Sequence, residues 1–178
     1  MGISQNIIAD SSFYICFLND IEEPAFLNRV IDKFDFYITP LVESEIRLDD
    51  YEWLKKNEKM VRVGDHINFG EILKPFLSTK AIEKGEHEVI GLGYHFFMTG
   101  LPFYLVIDDQ EAREFVKANI NHLISFLHGT IGFIALCCCR FEVFSKNEAM
   151  VIFNKIGDSK FRISKDILEK IKINIERC

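Results

Sequence analysis

Residues 103–113, Phe-Tyr-Leu-Val-Ile-Asp-Asp-Gln-Glu-Ala-Arg, constrain what this chain can fold into more than any other stretch. The apolar run from Phe103 to Ile107 is entered through Pro102 and stopped by Asp108 and Asp109. A run that short, bounded by turn residues, reads as a strand buried on both faces, the kind found at the centre of a parallel sheet. From Gln110 onward the pattern reads as a helix. Two carboxylates therefore stand where a central strand gives way to a helix, the edge at which open α/β sheets bind ligands. Asp108 followed three residues later by Glu111 also fits a helix capping box. Whether other acids reach the same edge separates a cap from a site.

The same order of strand then acid occurs at residues 6–9 with Asp10, followed by Ser11, Ser12 and a helical stretch at 13–18. Further on, 25–35 reads as a helix and 35–39 as a strand. Thr39-Pro40 opens the next helix with a hydroxyl N-cap and proline at the first helical position. An edge strand is expected at 60–63, a loop at 64–68, a helix at 69–77, and a long helix from Glu86 to about Met98. A last strand is expected at 122–127, closed by His128-Gly129-Thr130-Ile131-Gly132, then helical stretches at 133–144, 147–156 and 165–175. Strands alternating with helices predict a parallel α/β sheet. The 178 residues fit one domain, with a core at about 5–135 and a helical C-terminal extension at about 136–178.

With 48% hydrophobic residues and 17 Phe, a packed interior is assured. The net charge of −6 argues against holding nucleic acid by bulk attraction. The charge is uneven: residues 137–178 hold nine Lys/Arg against six Asp/Glu, leaving −9 for residues 1–136. That suits an acidic site in the first part and a mildly basic tail. Cys16, Cys137, Cys138, Cys139 and Cys178 include no Cys-x-x-Cys pair, which argues against a structural zinc. The Cys triplet reads as small apolar residues of a buried helix, and free thiols fit a reducing cytoplasmic compartment. The longest apolar run, 131–139, is far short of a membrane span, and no signal pattern opens the chain, so a soluble intracellular protein is expected.

Helix periodicity sorts the acids. In the helix from Pro40, Glu45 lies four residues beyond Leu41 and three beyond Val42, on the apolar face, whereas Glu43 projects elsewhere. In the helix from Glu86, that residue extends the stripe of Val89, Ile90, Leu92, Gly93, Phe96 and Phe97, while Glu88 and His95 fall on the far side. An inward unpaired charge costs several kcal/mol, so Glu45 and Glu86 need partners. Arg47, Arg62 or Arg113 could supply them singly. For Asp10, Glu45, Glu86 and Asp108 or Asp109 together, a hard divalent cation explains the set better, since clustered carboxylates repel unless neutralised.

These residues resemble a known family. Ile7-Ile8-Ala9-Asp10-Ser11-Ser12, Ile38-Thr39-Pro40 with Val42-x-x-Glu45-Ile46, and Lys84-Gly85-Glu86-His87-Glu88 come in the order seen in PIN domains, small metal-dependent nucleases that include VapC-type toxin ribonucleases. Leu105-Val106-Ile107-Asp108-Asp109 with Ala112-Arg113, Gly129-Thr130-Ile131-Gly132 and Phe161-Arg162-Ile163-Ser164 extend the resemblance over nearly the whole chain, within the subgroup whose helix starts Gly-Glu-x-Glu. The resemblance implies a PIN-like three-layer α/β/α fold with a central twisted parallel sheet and a helical C-terminal tail. It implies one or two Mg²⁺ or Mn²⁺ ions held by Asp10, Glu45, Glu86 and Asp108 or Asp109, with Asp108 favoured because it comes first off the strand. It also implies hydrolysis of RNA phosphodiesters, pairing into a homodimer and, for a toxin, an antitoxin partner.

Ser11 or Ser12 could hold a ligand or water, or cap the helix. Arg113 could reach a phosphate or pair with an aspartate. Lys160, Arg162 and Lys165 read better as a solvated face than as an RNA contact. The expected activity is metal-dependent endoribonuclease; the alternative is a catalytically silent PIN-like module for nucleic-acid binding or assembly. A phosphatase or receiver-type domain would want a lysine at a later strand end, and none is evident.

Overall fold

The computed structural model describes residues 5–47, 49, 51–64, 69–76 and 85–178. Among the described residues five strands, β1 (Asn6–Ala9), β2 (Asp35–Ile38), β3 (Met60–Arg62), β4 (Phe103–Val106) and β5 (Leu127–His128), pair in parallel in the order β3-β2-β1-β4-β5. The order reverses between β1 and β4, which makes their carboxyl ends the switch point of the sheet.

The helices are α1 (Ser11–Ile15), α2 (Pro24–Lys33), α3 (Pro40–Glu45), α4 (Glu52–Lys55), α5 (Gly85–Thr99), α6 (Gln110–Asn119), α7 (Thr130–Cys139), α8 (Lys146–Asp158) and α9 (Lys165–Arg177). A π turn, Cys16–Asp20, continues α1, and 3-10 turns cover Phe69–Phe76 and Asn121–Phe126.

Register explains the layers. Ile7 pairs with Phe36 and Tyr104, and this face meets α1 and α7: Phe13 stacks on Phe36 at 5.7 Å and meets Phe133 at 5.8 Å. Ile8 pairs with Tyr37 and Leu105, and that face meets α5: Tyr37 meets Phe96 at 4.9 Å, and Phe103 stacks on Phe126 at 4.8 Å. Ile7, Ile8, Leu105 and Val106 are fully buried, each contributing roughly 1.5–3 kcal/mol. This is an α/β fold with helices on both faces of an all-parallel sheet. The tail belongs to the same core, since Phe153, Ile156, Leu168 and Ile175 join it and Phe26 packs on Phe144 at 5.6 Å. Among the described residues no helix is long and apolar enough to cross a membrane.

Several expectations need correction. The strand expected at 122–127 is a 3-10 turn, and only Leu127 and His128 pair, with Leu105 and Val106. In that register residues 123 and 124 would lie opposite Leu101 and Pro102, before β4 begins, and proline offers no N–H to a ladder. The helix expected at 133–144 runs Thr130–Cys139. Thr39 sits at the N-cap of α3, but its buried hydroxyl makes no cap bond. The free-thiol reading fails for Cys139 and Cys178, which form a disulfide; Cys16, Cys137 and Cys138 are free and buried. The pairing has no local signature, because the two lie 39 positions apart and only the return of α9 onto α7 joins them. All but Gly64 of the loop expected at 64–68, the helix end at Leu77, and Lys84 lie outside the described residues.

Candidate functional site

β1 delivers Asp10 to the switch point, its N–H donating to the Val106 carbonyl at 2.9 Å as one last ladder bond. Its carboxylate then does two things. Oδ1 accepts from Phe13 N–H at 3.3 Å and caps α1; Oδ2 accepts from Asp108 N–H at 3.0 Å. The cap of α1 is therefore Asp10, and Ser11 and Ser12 lie inside the helix, with Ser12 facing the cleft described below. Asp10 is 2% exposed. Burial first, then the charge of Asp108 and, less strongly, that of Glu86, push its carboxyl up to about 8, against the pull of the two N–H bonds.

The two aspartates after β4 divide the roles that the sequence left open. Asp109 is the N-cap of α6, Oδ1 accepting from Ala112 N–H at 2.8 Å, and it is exposed. The capping box that Asp108 and Glu111 would fit does not form, because the cap falls one residue later and puts Ala112 at the third helical position. Asp108 instead turns toward β5: Oδ1 accepts from Thr130 N–H at 2.9 Å and Oδ2 accepts from the Thr130 hydroxyl. Burial raises the Asp108 carboxyl, opposed by the Thr130 bonds and the charge of Arg113. Gly129 permits this approach, because a Cβ there would lie 2.9 Å from Asp108 Oδ1. Arg113 donates to the Ile107 carbonyl at 2.9 Å, bracing the strand end rather than pairing with an aspartate.

Glu86, in the first turn of α5, and Asp108 line a cleft of about 580 Å³ with Ser12, Asp20, Asp109 and Gln110. Lys160, Phe161 and Arg162, from the segment between α8 and α9, form another wall. Asp20 is held above the usual carboxylate range by burial, with Lys160 opposing. A neighbouring cavity of about 410 Å³ shares Asp108, Gln110, Phe161 and Arg162.

Periodicity misplaced two acids. Glu45 is exposed, because α3 ends at that residue and the chain turns away through Arg47 at φ 48°. It lines a separate pocket with Ile15 and Asn19, yet still approaches α5, since a Cβ on Gly85 would lie 2.9 Å from Glu45 Oε1. Glu88, expected on the far side, is 6% exposed. Its Oε2 accepts from Leu41 N–H at 3.1 Å, supplying the cap that Thr39 does not make. A helix packed on two neighbours has no single inward face, and the N-terminus of α3 receives a charge favourable to its dipole.

Among the described residues none of Asp10, Glu45, Glu86, Asp108 or Asp109 forms an ion pair; Arg62 is taken by Glu43. Nor, among those residues, do three acidic side chains bring oxygens within 4.8 Å of one another. The donor set is oxygen only, which suits a hard cation. Each oxygen of Asp10 and Asp108 accepts one hydrogen bond and retains a lone pair. The raised Asp10 carboxyl follows from its burial first and from the unpaired charges of Asp108 and Glu86 after that.

Sequence reasoning undervalued Thr130 and Lys160–Arg162 and passed over Asp20. The Gly129-Thr130 pair was visible, but that its hydroxyl would meet Asp108 depends on β5 lying beside β4. Compared with family models, curated proteins and solved structures, the chain matches none.

Proposed function

We propose that this chain is a PIN-like, metal-dependent endoribonuclease acting at the cleft beyond β1 and β4. The observation that carries the reading is that Asp10 and Asp108 are joined at the switch point of the sheet, with Glu86 close enough for its charge to act on Asp10, and that among the described residues no cationic side chain forms an ion pair with any of the three. Asp10, Asp108 and Glu86 would hold Mg²⁺ or Mn²⁺, with Asp109 or Glu45 joining after side-chain movement. A bound divalent ion supplies Lewis acidity toward a phosphoryl oxygen and acidity to a water molecule.

The protein's own groups do the rest. The bonds from Asp108 and Phe13 N–H groups hold Asp10 in one orientation, and Thr130 does the same for Asp108. Lys160 and Arg162 line the same cleft, where they can take the phosphates on either side of the bond being cut. Their charge offsets an acidic rim that would otherwise repel a polyanion. A cytoplasmic setting, a homodimer and an antitoxin that blocks the cleft belong to the same proposal.

A second reading is a silent RNA-binding module. It is favoured by the Thr130 bonds that engage both oxygens of Asp108 and by the position of Glu45 outside the main cleft. The test is cleavage of labelled single-stranded RNA by the full chain with Mn²⁺, with chelator, and with Asp10→Asn or Glu86→Gln. The nuclease reading expects a loss above about 100-fold for either variant, beyond the cost of an outer-shell partner alone. Cleavage that survives chelator and Asp10→Asn, or binding without cleavage by wild type, would overturn it.

A further inference from the structure

The cysteines that the sequence spacing set aside come together at the far end of the helical layer. Cys138 and Cys139 occupy the last turn of α7, and Cys178 follows the last turn of α9. Their three sulfurs lie within 4.8 Å of one another, with Cys138 buried and the other two exposed. Two of the three are bridged, Cys139 to Cys178, and the Cys138 thiol stands beside that bridge.

We propose that in the reduced protein Cys138, Cys139 and Cys178 form a trithiolate site for a thiophilic d¹⁰ cation, Zn²⁺ or Cu⁺. Three convergent sulfurs from two elements are a donor set that selects such ions over Mg²⁺ or Mn²⁺. Zinc–sulfur bonds of about 2.3 Å need tetrahedral sulfurs about 3.8 Å apart, so the two bridged sulfurs part on reduction while Cys138 closes on them by about 1 Å or less. Lys146 Nζ donates to the Glu176 carbonyl at 3.2 Å, placing an ammonium near the Cys138 thiol, on which its charge acts against that of Glu148. Three thiolates on Zn²⁺ leave one negative charge for it to offset, and a fourth position for water.

The disulfide and the metal site use the same sulfurs, so they exclude one another. A dithiol reductant gives two electrons and two protons to the Cys139–Cys178 bond and leaves as its own disulfide. The resulting pair of thiols, with Cys138, releases three protons as three sulfur–metal bonds form. In either state the C-terminal end of α9 stays fastened to α7. This site is independent of the nuclease reading.

The experiment is a Cd²⁺ titration of the full chain, reduced with a phosphine and freed of metal, followed by thiolate-to-cadmium charge-transfer absorption and competed with Zn²⁺. One Cd²⁺ per chain is expected, displaced by Zn²⁺ and absent from the oxidised chain. The band should fall by about one third or more in Cys139→Ser or Cys178→Ser, one sulfur of three, and stay unchanged in Cys16→Ser. Circular dichroism checks that each variant folds. As a measurement needing no substitution, Zn²⁺ should slow alkylation of Cys139 and Cys178 in the reduced wild type. No band in the reduced chain, a band unchanged in Cys178→Ser, or alkylation indifferent to Zn²⁺ would overturn the proposal.

Discussion

The Asp108 N–H donates to Oδ2 of Asp10 at 3.0 Å, joining residues 98 positions apart at the carboxyl ends of adjacent strands. The bond locks one acid to the backbone of the other, and the charge of Asp108 adds to the cost that burial already sets on ionising Asp10.

That cost sets a pH dependence. With the Asp10 carboxyl near 8 in the fold and about 3.9 in the unfolded chain, the native state keeps a proton that the unfolded state has lost. Stability in metal-free buffer should fall as pH rises from about 4 to 8, with a limiting slope of about 1.4 kcal/mol per pH unit. Glu148, drawn down to about 2 by Arg29 and Ser145, works in the opposite sense at lower pH, where its contribution is lost as pH falls toward 2. Urea melts in chelator across pH 4–8.5 check this. Asp10→Asn should flatten the slope above pH 4; equal slopes for the two proteins would contradict the burial argument.

Divalent metal should act in the same window. Mn²⁺ at 100 times its Kd should stabilise the wild type at pH 7.5 by about 2.7 kcal/mol and leave Asp10→Asn unmoved. Thermal melts with and without Mn²⁺ give the comparison, and a wild-type curve indifferent to the ion would favour the silent-module reading.

Two acids two residues apart should behave differently. Glu88 is buried and caps α3 through Leu41, whereas Glu86 faces the cleft. Glu88→Gln keeps an acceptor and should cost about 1 kcal/mol while the response to Mn²⁺ survives. Glu86→Gln should leave stability within about 0.5 kcal/mol and weaken that response. Denaturant melts paired with metal titrations distinguish the two.

Gly129 offers a steric test. The Cβ of Gly129→Ala would stand 2.9 Å from Asp108 Oδ1, so Asp108 or the β5 turn must shift. A loss of about 1–3 kcal/mol is expected from overpacking, with reduced RNA cleavage. Gly132→Ala, whose Cβ would have nothing within 4 Å, is the matched control.

Reduction of Cys139–Cys178 in metal-free buffer should lower stability by about 2–4 kcal/mol, since the bridge closes a long loop of the unfolded chain. Cys178→Ser should reproduce the loss, and reductant should then have no further effect on its melting curve.

The sequence alone determined the parallel α/β class, four of the five strands and the delivery of Asp10 and Asp108 to one edge. Those features are local: an apolar run stopped by an acid carries its own meaning wherever the strand lands. Tertiary structure decided which acid does what. Asp108 faces inward because β5 brings Thr130 beside it, Asp109 caps because Asp108 is already engaged, and Glu88 is buried because α3 presents an uncapped end to α5. Periodicity assigns one face per helix, and it fails where a helix ends at the residue in question, as at Glu45, or packs on two partners at once, as in α5. Burial, charge compensation and the Cys139–Cys178 bridge belong to pairs of residues far apart in the chain, and only folding makes them neighbours.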